Sequence, residues 1–189
     1  GCDSVNALGL DLIDQLVAVH KVSGKEPALQ QLGRPERFLD RQIERWMSVR
    51  SKQSVRELPA LFRLGDWLGE NIPKAASPTL IHGDYHLDNT LADKHSPKIL
   101  AIIDWELATV GDPYMDLALM LMFWGDYRTQ KPPAFTSLQA ISRRPGILSR
   151  RDLAQRWATA LKRPLNNMNF YMALAFWRLA AIIEGAYGL

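Results

Sequence analysis

The chain has 189 residues, 47% of them hydrophobic and 23% charged, which favours one globular domain with a sizeable core and excludes an intrinsically disordered chain. The net charge of +3 comes without a lysine- and arginine-rich run interleaved with aromatic residues, so we expect no nucleic-acid partner. One cysteine excludes an internal disulfide framework, no apolar stretch approaches the ~20 residues of a membrane span, and we therefore expect a cytoplasmic domain without a membrane partner.

Three helices are predicted in the first part of the chain. Ser4 is suited to cap a first helix, whose apolar residues between Val5 and Val19 recur at helical spacing. After a polar loop, Pro35 suits the first turn of a second helix that carries Phe38 and Trp46. A third helix is predicted over residues 58–71, because two prolines follow it closely.

The pattern then changes to short strands. Residues 79–81 form a short apolar run that ends at His82. Residues 90–92 and 99–103 flank a turn that contains Ser96-Pro97, which predicts a β-hairpin. The segment between the first strand and the hairpin is therefore a loop held by a small sheet, a common location for functional residues.

Helices are predicted again in the last part of the chain. One is expected over residues 114–127, and a second runs to about residue 161 behind Ser149 and Asp152, which have the spacing of a capping box. A long helix is expected over residues 167–186. Six aromatic residues are expected in the core: Trp105, Phe123, Trp124, Phe170, Phe176 and Trp177.

Two short segments carry residues typical of phosphoryl transfer. Residues 82–89 read His-Gly-Asp-Tyr-His-Leu-Asp-Asn, and Asp104 comes fifteen positions after Asn89. Kinase catalytic loops place an Asp, which accepts the proton of the substrate hydroxyl, five residues before an Asn that holds Mg²⁺, and a later Asp holds the metal from its other side. Asp84, Asn89 and Asp104 have this order and spacing.

The same segments resemble a known family. Residues 82–89 resemble the catalytic loop of the aminoglycoside phosphotransferase and choline kinase family, which shares the protein-kinase fold. Residues 103–118 are similar to the branch that includes the kinase domains of acyl-CoA dehydrogenase family members 10 and 11, as are residues 32–35 and 41–46. The resemblance implies an α+β, mainly α-helical fold, namely the C-terminal lobe of a protein-kinase-like domain with a small β-hairpin carrying the catalytic loop.

The resemblance also implies an activity and a set of site residues. It implies transfer of the γ-phosphoryl group of ATP, or of another nucleoside triphosphate, to a hydroxyl of a small molecule with Mg²⁺ as cofactor. Asp84 is expected to be the catalytic acid–base residue, and His82 is expected to support catalysis by bracing the loop. Asn89 and Asp104 are expected to bind the metal and the donor nucleotide, and Glu106 is expected either as a further metal ligand or in a salt bridge.

The resemblance also implies roles for two further acidic residues and a range of acceptors. Asp112 and Asp116 resemble a cap and a buried brace for the catalytic loop. The branch implies a hydroxyacyl-CoA or a similar metabolite as acceptor, and the wider family includes aminoglycosides, choline, homoserine and methylthioribose. The sequence does not choose among these acceptors.

One family feature is missing from the chain. The twelve glycines never form the G-x-G-x-x-G loop that covers the phosphates, and no Lys lies in a suitable strand before the catalytic loop. We therefore interpret residues 1–189 as the C-terminal lobe, with the N-terminal nucleotide lobe absent here and expected in the full-length protein. This lobe alone is expected to be inactive.

Two alternative functions stay open at this stage. The first is a non-catalytic, kinase-like interaction module. The second is a metal-dependent phosphohydrolase, which would need two metal ions about 3.5–4 Å apart and several His ligands. Only His82 and His86 lie near the acidic residues in the sequence.

Overall fold

The computed structural model describes residues 1–53, 58–125 and 141–187, and in these ranges α-helices surround two small antiparallel sheets. The helices are α1 (Cys2–His20), α2 (Phe38–Gln53), α3 (Pro59–Glu70), α4 (Tyr114–Phe123), α5 (Arg150–Leu161) and α6 (Met168–Tyr187). The strands are β1 (Thr79–Ile81), β2 (Thr90–Ala92), β3 (Ile99–Ile102) and β4 (Thr109–Gly111). The predicted mainly α-helical α+β fold is confirmed. None of the described helices combines the length and apolar character needed to cross a bilayer.

The two sheets frame both segments that carry the motif. Strands β2 and β3 form the predicted hairpin, in which Thr90 lies opposite Ile102. Strand β1 pairs with β4, so that Ile81 lies opposite Thr109, a pairing that the sequence did not predict. The loop at residues 82–89 thus runs from β1 to β2, and the segment at residues 103–108 runs from β3 to β4.

Helix α4 forms the centre of the core. Every residue from Tyr114 to Met122 is buried, and the helix packs against α5 and α6. A helix that is apolar on all sides is stable only inside a protein. The large side chains of Trp157 and Trp177 are also fully buried, and each contributes roughly 1.5–3 kcal/mol or more through removal from water. The rigid core therefore lies directly beneath the catalytic loop.

The helix ends differ from the predictions at two positions. Helix α1 begins at Cys2 with Gly1 as its N-cap, so the prediction that Ser4 caps it is wrong. Asp3 already lies in the first turn, where its charge stabilises the helix dipole. Helix α2 begins at Phe38 and not near Pro35, because Arg37 has a φ of 50° that a right-handed helix cannot include.

Other helix predictions are confirmed or only partly tested. Ser149 and Asp152 form the predicted capping box, with the Asp152 amide donating to the Ser149 side chain and the Ser149 amide donating to Asp152 Oδ2. Helix α3 and the long helix α6 lie where they were predicted, within one residue at each end. Helix α4 ends at Phe123. Trp124 is already extended, so the predicted continuation of the helix is wrong at residues 124–125, and residues 126–127 lie outside the described residues.

The expected burial of the aromatic residues is right for only some of them. Trp124, Phe170 and Trp177 are buried, as predicted. Trp105 and Phe176 are 38% and 45% exposed, so their assignment to the core is wrong. Trp105 is exposed because it lies on the turn after β3 at the rim of the site, where its ring packs against His82.

Candidate active site

Asp116 of α4 holds the start of the catalytic loop. Its Oδ2 accepts a hydrogen bond from the amide of His82 at 2.6 Å, and its Oδ1 accepts one from the amide of Gly83 at 2.8 Å. His20 of α1 lies 3.3 Å from Asp116 Oδ2 through its Nε2, and Trp157 donates to His20 Nδ1 at 2.9 Å. Since indole is only a donor, His20 carries its own proton on Nε2 and donates it to Asp116. The predicted role of Asp116 as a buried brace is confirmed.

His82 connects the catalytic loop to the segment after β3. Its side chain is fully buried, with Nε2 located 2.8 Å from the carbonyl oxygen of Ile103. The amide of Asp84 donates to His82 Nδ1 at 3.3 Å, so Nε2 carries the proton and donates to Ile103. Tyr85 anchors the loop on its other side by donating to the Leu12 carbonyl at 2.7 Å. The structure thus places His82 behind the loop, where it supports Asp84 without facing a substrate.

Gly83 has a conformation that requires glycine. Its φ is 85°, and a Cβ atom at this position would collide with the carbonyl oxygen of Leu107. The Gly83 carbonyl accepts a hydrogen bond from Arg178 Nη1 at 2.9 Å. The sequence reasoning missed Arg178, although a cation within the apolar sequence of α6 was a usable signal.

Asp84 lies at the surface of the loop and is partly exposed. Its Oδ2 accepts a hydrogen bond from Asn89 Nδ2 at 3.1 Å and lies 3.5 Å from His86 Nε2. Partial burial opposes its ionisation, but the hydrogen bond and charge of His86, the charge of Arg178 and the Asn89 hydrogen bond outweigh burial and lower the pKa of Asp84. Asp84 is therefore a carboxylate at neutral pH, able to accept a hydrogen bond from a hydroxyl.

Asn89 and Asp104 lie at the same end of the hairpin. The pairing of Thr90 with Ile102 places their neighbours side by side, and the Ile103 amide donates to the Asn89 carbonyl at 3.0 Å. Asn89 uses its Nδ2 to donate to the backbone and side chain of Asp84, which leaves Oδ1 as an acceptor. Asp104 is exposed and has a left-handed backbone conformation, with φ of 64° and ψ of 54°.

The side-chain oxygens of Asn89 and Asp104 are of the type that binds magnesium, and the role of these two residues as metal ligands stays a prediction. Mg²⁺ prefers hard oxygen ligands and commonly takes one or two from the protein, while water and phosphate oxygens complete its coordination. In the ranges that the structure describes, no three His, Cys, Asp or Glu side chains form a metal-binding group. A dinuclear phosphohydrolase would require such a group. Glu106 faces the cleft beside the loop, and its role as a metal ligand stays a prediction.

A cleft of about 480 Å³ opens beside the catalytic loop. Its walls come from the Phe38 side of α2, the segment 106–109, Gly83 and Arg178. This volume lies in the range of pockets that bind small molecules, roughly 300–1,000 Å³. The cleft thus lies beside Gly83, the residue that precedes Asp84, and is large enough for a small molecule.

The loop, the later acid and the helical core together define a phosphotransferase of kinase-like fold. The sequence profile described as the phosphotransferase enzyme family matches residues 1–163. The chain belongs to this family, and the resemblance that the motifs indicated is confirmed.

The segments that match this chain are parts of larger proteins. Acyl-CoA dehydrogenase family member 10 of Mus musculus is 30% identical over 177 residues, which are 91% of this chain and 16% of that protein. Acyl-CoA dehydrogenase family member 11 of Rattus norvegicus is 30% identical over 184 residues, which are 96% of this chain and 23% of that protein. The chain thus spans less than a quarter of either relative.

Solved structures support the same fold. A candidate aminoglycoside phosphotransferase from Ralstonia eutropha JMP134 superposes with a TM-score of 0.83 and 27% identity, over all of this chain and 57% of that one. The aminoglycoside phosphotransferase APH(3'')-Id of Streptomyces rimosus, solved with ADP and streptomycin, has a TM-score of 0.59 and 17% identity, over 94% of this chain and 64% of that one. The second likeness concerns the fold alone.

Proposed function

We propose that this chain carries the catalytic residues of a magnesium-dependent kinase that transfers the γ-phosphoryl group of ATP to a hydroxyl of a small molecule in the cytoplasm. The observation that carries the proposal is the pair of hydrogen bonds from Asn89 to Asp84, with Asp104 at the same end of the hairpin. This arrangement holds a partly exposed carboxylate near two residues that carry oxygen atoms suited to a metal ion. The complex of a structural neighbour with ADP and streptomycin supports a nucleotide donor and a small acceptor.

Each residue has a defined part in the proposed reaction. Asp84 accepts a hydrogen bond from the acceptor hydroxyl and takes its proton as the new oxygen–phosphorus bond forms. The bond between the γ-phosphorus and the bridging oxygen breaks, and ADP leaves with that oxygen. Asn89 Oδ1 and Asp104 hold magnesium, which when bound neutralises the charge of the donor phosphates. Arg178 and Asp116 fix the loop backbone, so that Asp84 keeps its orientation.

The short connection after Asp104 favours a small acceptor over a protein. Between Asp104 and α4 the chain forms only a single helical turn, Trp105–Leu107, and strand β4. This leaves no room for the long activation segment that orders protein substrates in protein kinases. The cleft beside Gly83 has a volume that suits a small molecule instead.

Substituting Asp84→Asn in the full-length protein tests the proposal. Asparagine has nearly the same shape but cannot take a proton, so kcat for ATP-dependent phosphorylation should fall about 10²–10⁴-fold while the folded state is retained. Asp88→Asn is the matched control, since Asp88 is an exposed carboxylate on the same loop. Acceptors would be found by screening hydroxylated metabolites for ATP consumption. An Asp84→Asn enzyme with more than half of the wild-type turnover would remove Asp84 from the mechanism.

A further inference from the structure

The cleft beside the catalytic loop has a concentration of positive charge. Arg41 and Arg45 are one helical turn apart on the side of α2 that lines the cleft. Arg34 lies before α2, Arg178 comes from α6, and both residues line the same space, where Arg41 Nη2 donates to the Arg34 carbonyl. Arginine remains charged at any pH that a folded protein tolerates, so these residues contribute four positive charges.

The two arginines of α2 have no ion-pair partner among the described carboxylates, whereas Arg178 interacts with the charges of Asp84 and Asp116. The acids of α2 pair with a different arginine, because Arg37 lies 3.4 Å from Asp40 and 2.7 Å from Glu44. In the ranges 1–53, 58–125 and 141–187, no carboxylate lies within ion-pair distance of Arg41 or Arg45. Like charges one turn apart destabilise a helix, so this arrangement costs stability unless an anion binds to it.

Arg178 adds a hydrogen-bond donor that has no acceptor in the described part of the chain. Its Nη1 binds the Gly83 carbonyl, but its buried Nε has no partner among the described residues. Both Arg178 and Arg45 lie 5.8 Å from the centre of the Trp46 ring, which places the two guanidinium groups on a common aromatic support. Burial and the nearby charge of Arg45 lower the pKa of Arg178. The charges of Asp84 and Asp116 act to raise it, but burial outweighs them.

The acidic residues of the site lie on the catalytic side of the cleft. Asp84 and Asp104 belong to the catalytic loop and the metal site, and Glu106 is the one acid among the described residues that line the cleft. Magnesium would offset the charge of Asp104 when the donor is bound. The wall formed by Arg34, Arg41 and Arg45 is thus positive, and a cationic acceptor would be repelled there.

We propose that the acceptor is an anion, a hydroxylated molecule whose carboxylate or phosphate group binds Arg41, Arg45 and Arg34 while its hydroxyl reaches Asp84. This inference rests on the proposed function and names the class of its substrate. Guanidinium groups bind carboxylate and phosphate oxygens through paired hydrogen bonds, so both anionic groups suit the cleft. Arg178 joins the anion-binding wall to the loop that carries Asp84.

Four three-carbon probes test the inference, since they share a glycol unit and differ in charge. Glycerate and glycerol 3-phosphate are anionic, glycerol is neutral and 3-aminopropane-1,2-diol is cationic. Binding to the full-length protein is measured without nucleotide, by ligand-detected NMR.

We expect at least one anionic probe to bind in the millimolar range or more tightly, with weaker binding at high salt because the charges are screened. The comparison of glycerate with glycerol 3-phosphate shows whether a carboxylate or a phosphate is preferred. Failure of both anions to bind more tightly than glycerol would overturn the inference.

The variant with Arg41→Gln and Arg45→Gln identifies the anion-binding wall. Loss of two charge-assisted hydrogen bonds should weaken binding of the anionic probe about tenfold or more. Arg151→Gln removes the same charge from an exposed position on α5 outside the cleft and should leave binding unchanged. Equal binding by the double variant and the wild type would place the anion elsewhere and refute the assignment.

Kinetics separate the acceptor site from the donor site. With an acceptor that is phosphorylated, the double variant should have a raised KM for the acceptor and an unchanged KM for ATP. A raised KM for ATP alone would assign the arginines to the donor and overturn the inference. Faster phosphorylation of the amine than of the anions would also overturn it, while leaving the proposed phosphotransfer intact. Arginine-dependent anion binding without phosphate transfer from ATP to any acceptor would leave the anion site standing and refute the proposed function.

Discussion

The catalytic loop and the segment that faces it are held in different ways. The loop at residues 82–85 is fixed to the core through Asp116, His82 and Tyr85, all of which are buried. In the segment after β3, every side chain from Asp104 to Leu107 is exposed. The loop nevertheless ends at β2, which pairs with the strand β3 from which the segment starts, and His82 donates a hydrogen bond to Ile103.

The difference matches the two roles that we propose for Asp84 and Asp104. A residue that orients a hydroxyl must keep one direction, because misplacement of the reacting atoms by about 1 Å can reduce the rate by about 10²-fold. A metal ligand must instead remain open to water and to phosphate oxygens from a separate molecule. Burial of the anchors behind Asp84 and exposure of Asp104 satisfy both requirements within one small region.

Removal of the buried anchor should have the largest effect on stability. Asp116→Ala leaves the amides of His82 and Gly83 and the Nε2 of His20 without their acceptor. Loss of one member of a buried charged network typically costs about 3–5 kcal/mol, so we expect the free energy of unfolding to fall by about 3 kcal/mol or more. Urea denaturation followed by circular dichroism measures this change.

A second variant separates the loss of the acceptor from the loss of volume. Asp116→Asn keeps one acceptor oxygen but directs an amide group at a backbone donor, so it should also destabilise the protein, although less than alanine does. Stability of Asp116→Ala within 1 kcal/mol of the wild type would contradict the anchoring role, since surface substitutions already produce changes of about 0.5 kcal/mol.

The backbone of the catalytic loop is the next point of sensitivity. Gly83→Ala should reduce stability by about 1–3 kcal/mol, because its φ of 85° is strained for alanine and the new methyl group meets the Leu107 carbonyl. The matched control is Gly69→Ala in α3, where an added methyl group meets no atom and alanine favours the helix. Thermal unfolding of both variants measures the difference. A Gly83→Ala protein as stable as Gly69→Ala would show that the loop conformation is not constrained.

A substitution in the exposed segment after β3 should affect nucleotide binding and leave stability nearly unchanged. Asp104→Ala should change stability little, because Asp104 is exposed and makes no side-chain capping bond. Nucleotide binding at limiting magnesium should weaken about tenfold or more, since a ligand of the ion is lost. Titration of Mg²⁺ at fixed ATP with the full-length protein measures this effect. If the titration curves of the variant and the wild type superimpose, Asp104 is not a metal ligand. Glu106→Gln in the same assay tests whether Glu106 is a ligand, since loss of a ligand would weaken the magnesium dependence in the same way.

The local parts of this arrangement could be predicted from the sequence. The order and spacing of Asp84, Asn89 and Asp104 indicated the chemistry, and the turn at Ser96-Pro97 indicated the hairpin. Each of these signals lies within a short stretch of chain. The family pattern also indicated the buried role of Asp116, which no local periodicity would have distinguished from other acids in a helix.

The remaining parts depend on contacts between distant residues. The three-residue strand β4 exists only because it pairs with β1, which precedes it by a whole loop and hairpin. The cleft arginines belong to α2, to the loop before it and to α6, and in the sequence each resembles an ordinary surface cation. Neither feature has a local pattern, because each one forms only when the helices pack together.

The anchor of the hairpin makes stability depend on pH. Asp11 of α1 accepts a hydrogen bond from the Ile99 amide at 2.7 Å and lies 3.0 Å from Lys98 Nζ. Burial raises the pKa of Asp11, but the Ile99 hydrogen bond and the Lys98 interactions outweigh burial and lower it below the ordinary value of 3.8. A lowered pKa means that the stabilisation is present above the unfolded-state pKa and is lost as pH falls through the folded-state pKa.

We expect Asp11→Asn to cost about 1–2 kcal/mol at neutral pH. The difference from the wild type should stay constant down to about pH 5 and shrink below it. Lys98→Gln, at a largely exposed side chain, should cost less than about 0.5 kcal/mol. Urea denaturation at a series of pH values measures all three proteins, and a difference for Asp11→Asn that is the same at acidic and neutral pH would show that the charge of Asp11 does not stabilise the hairpin.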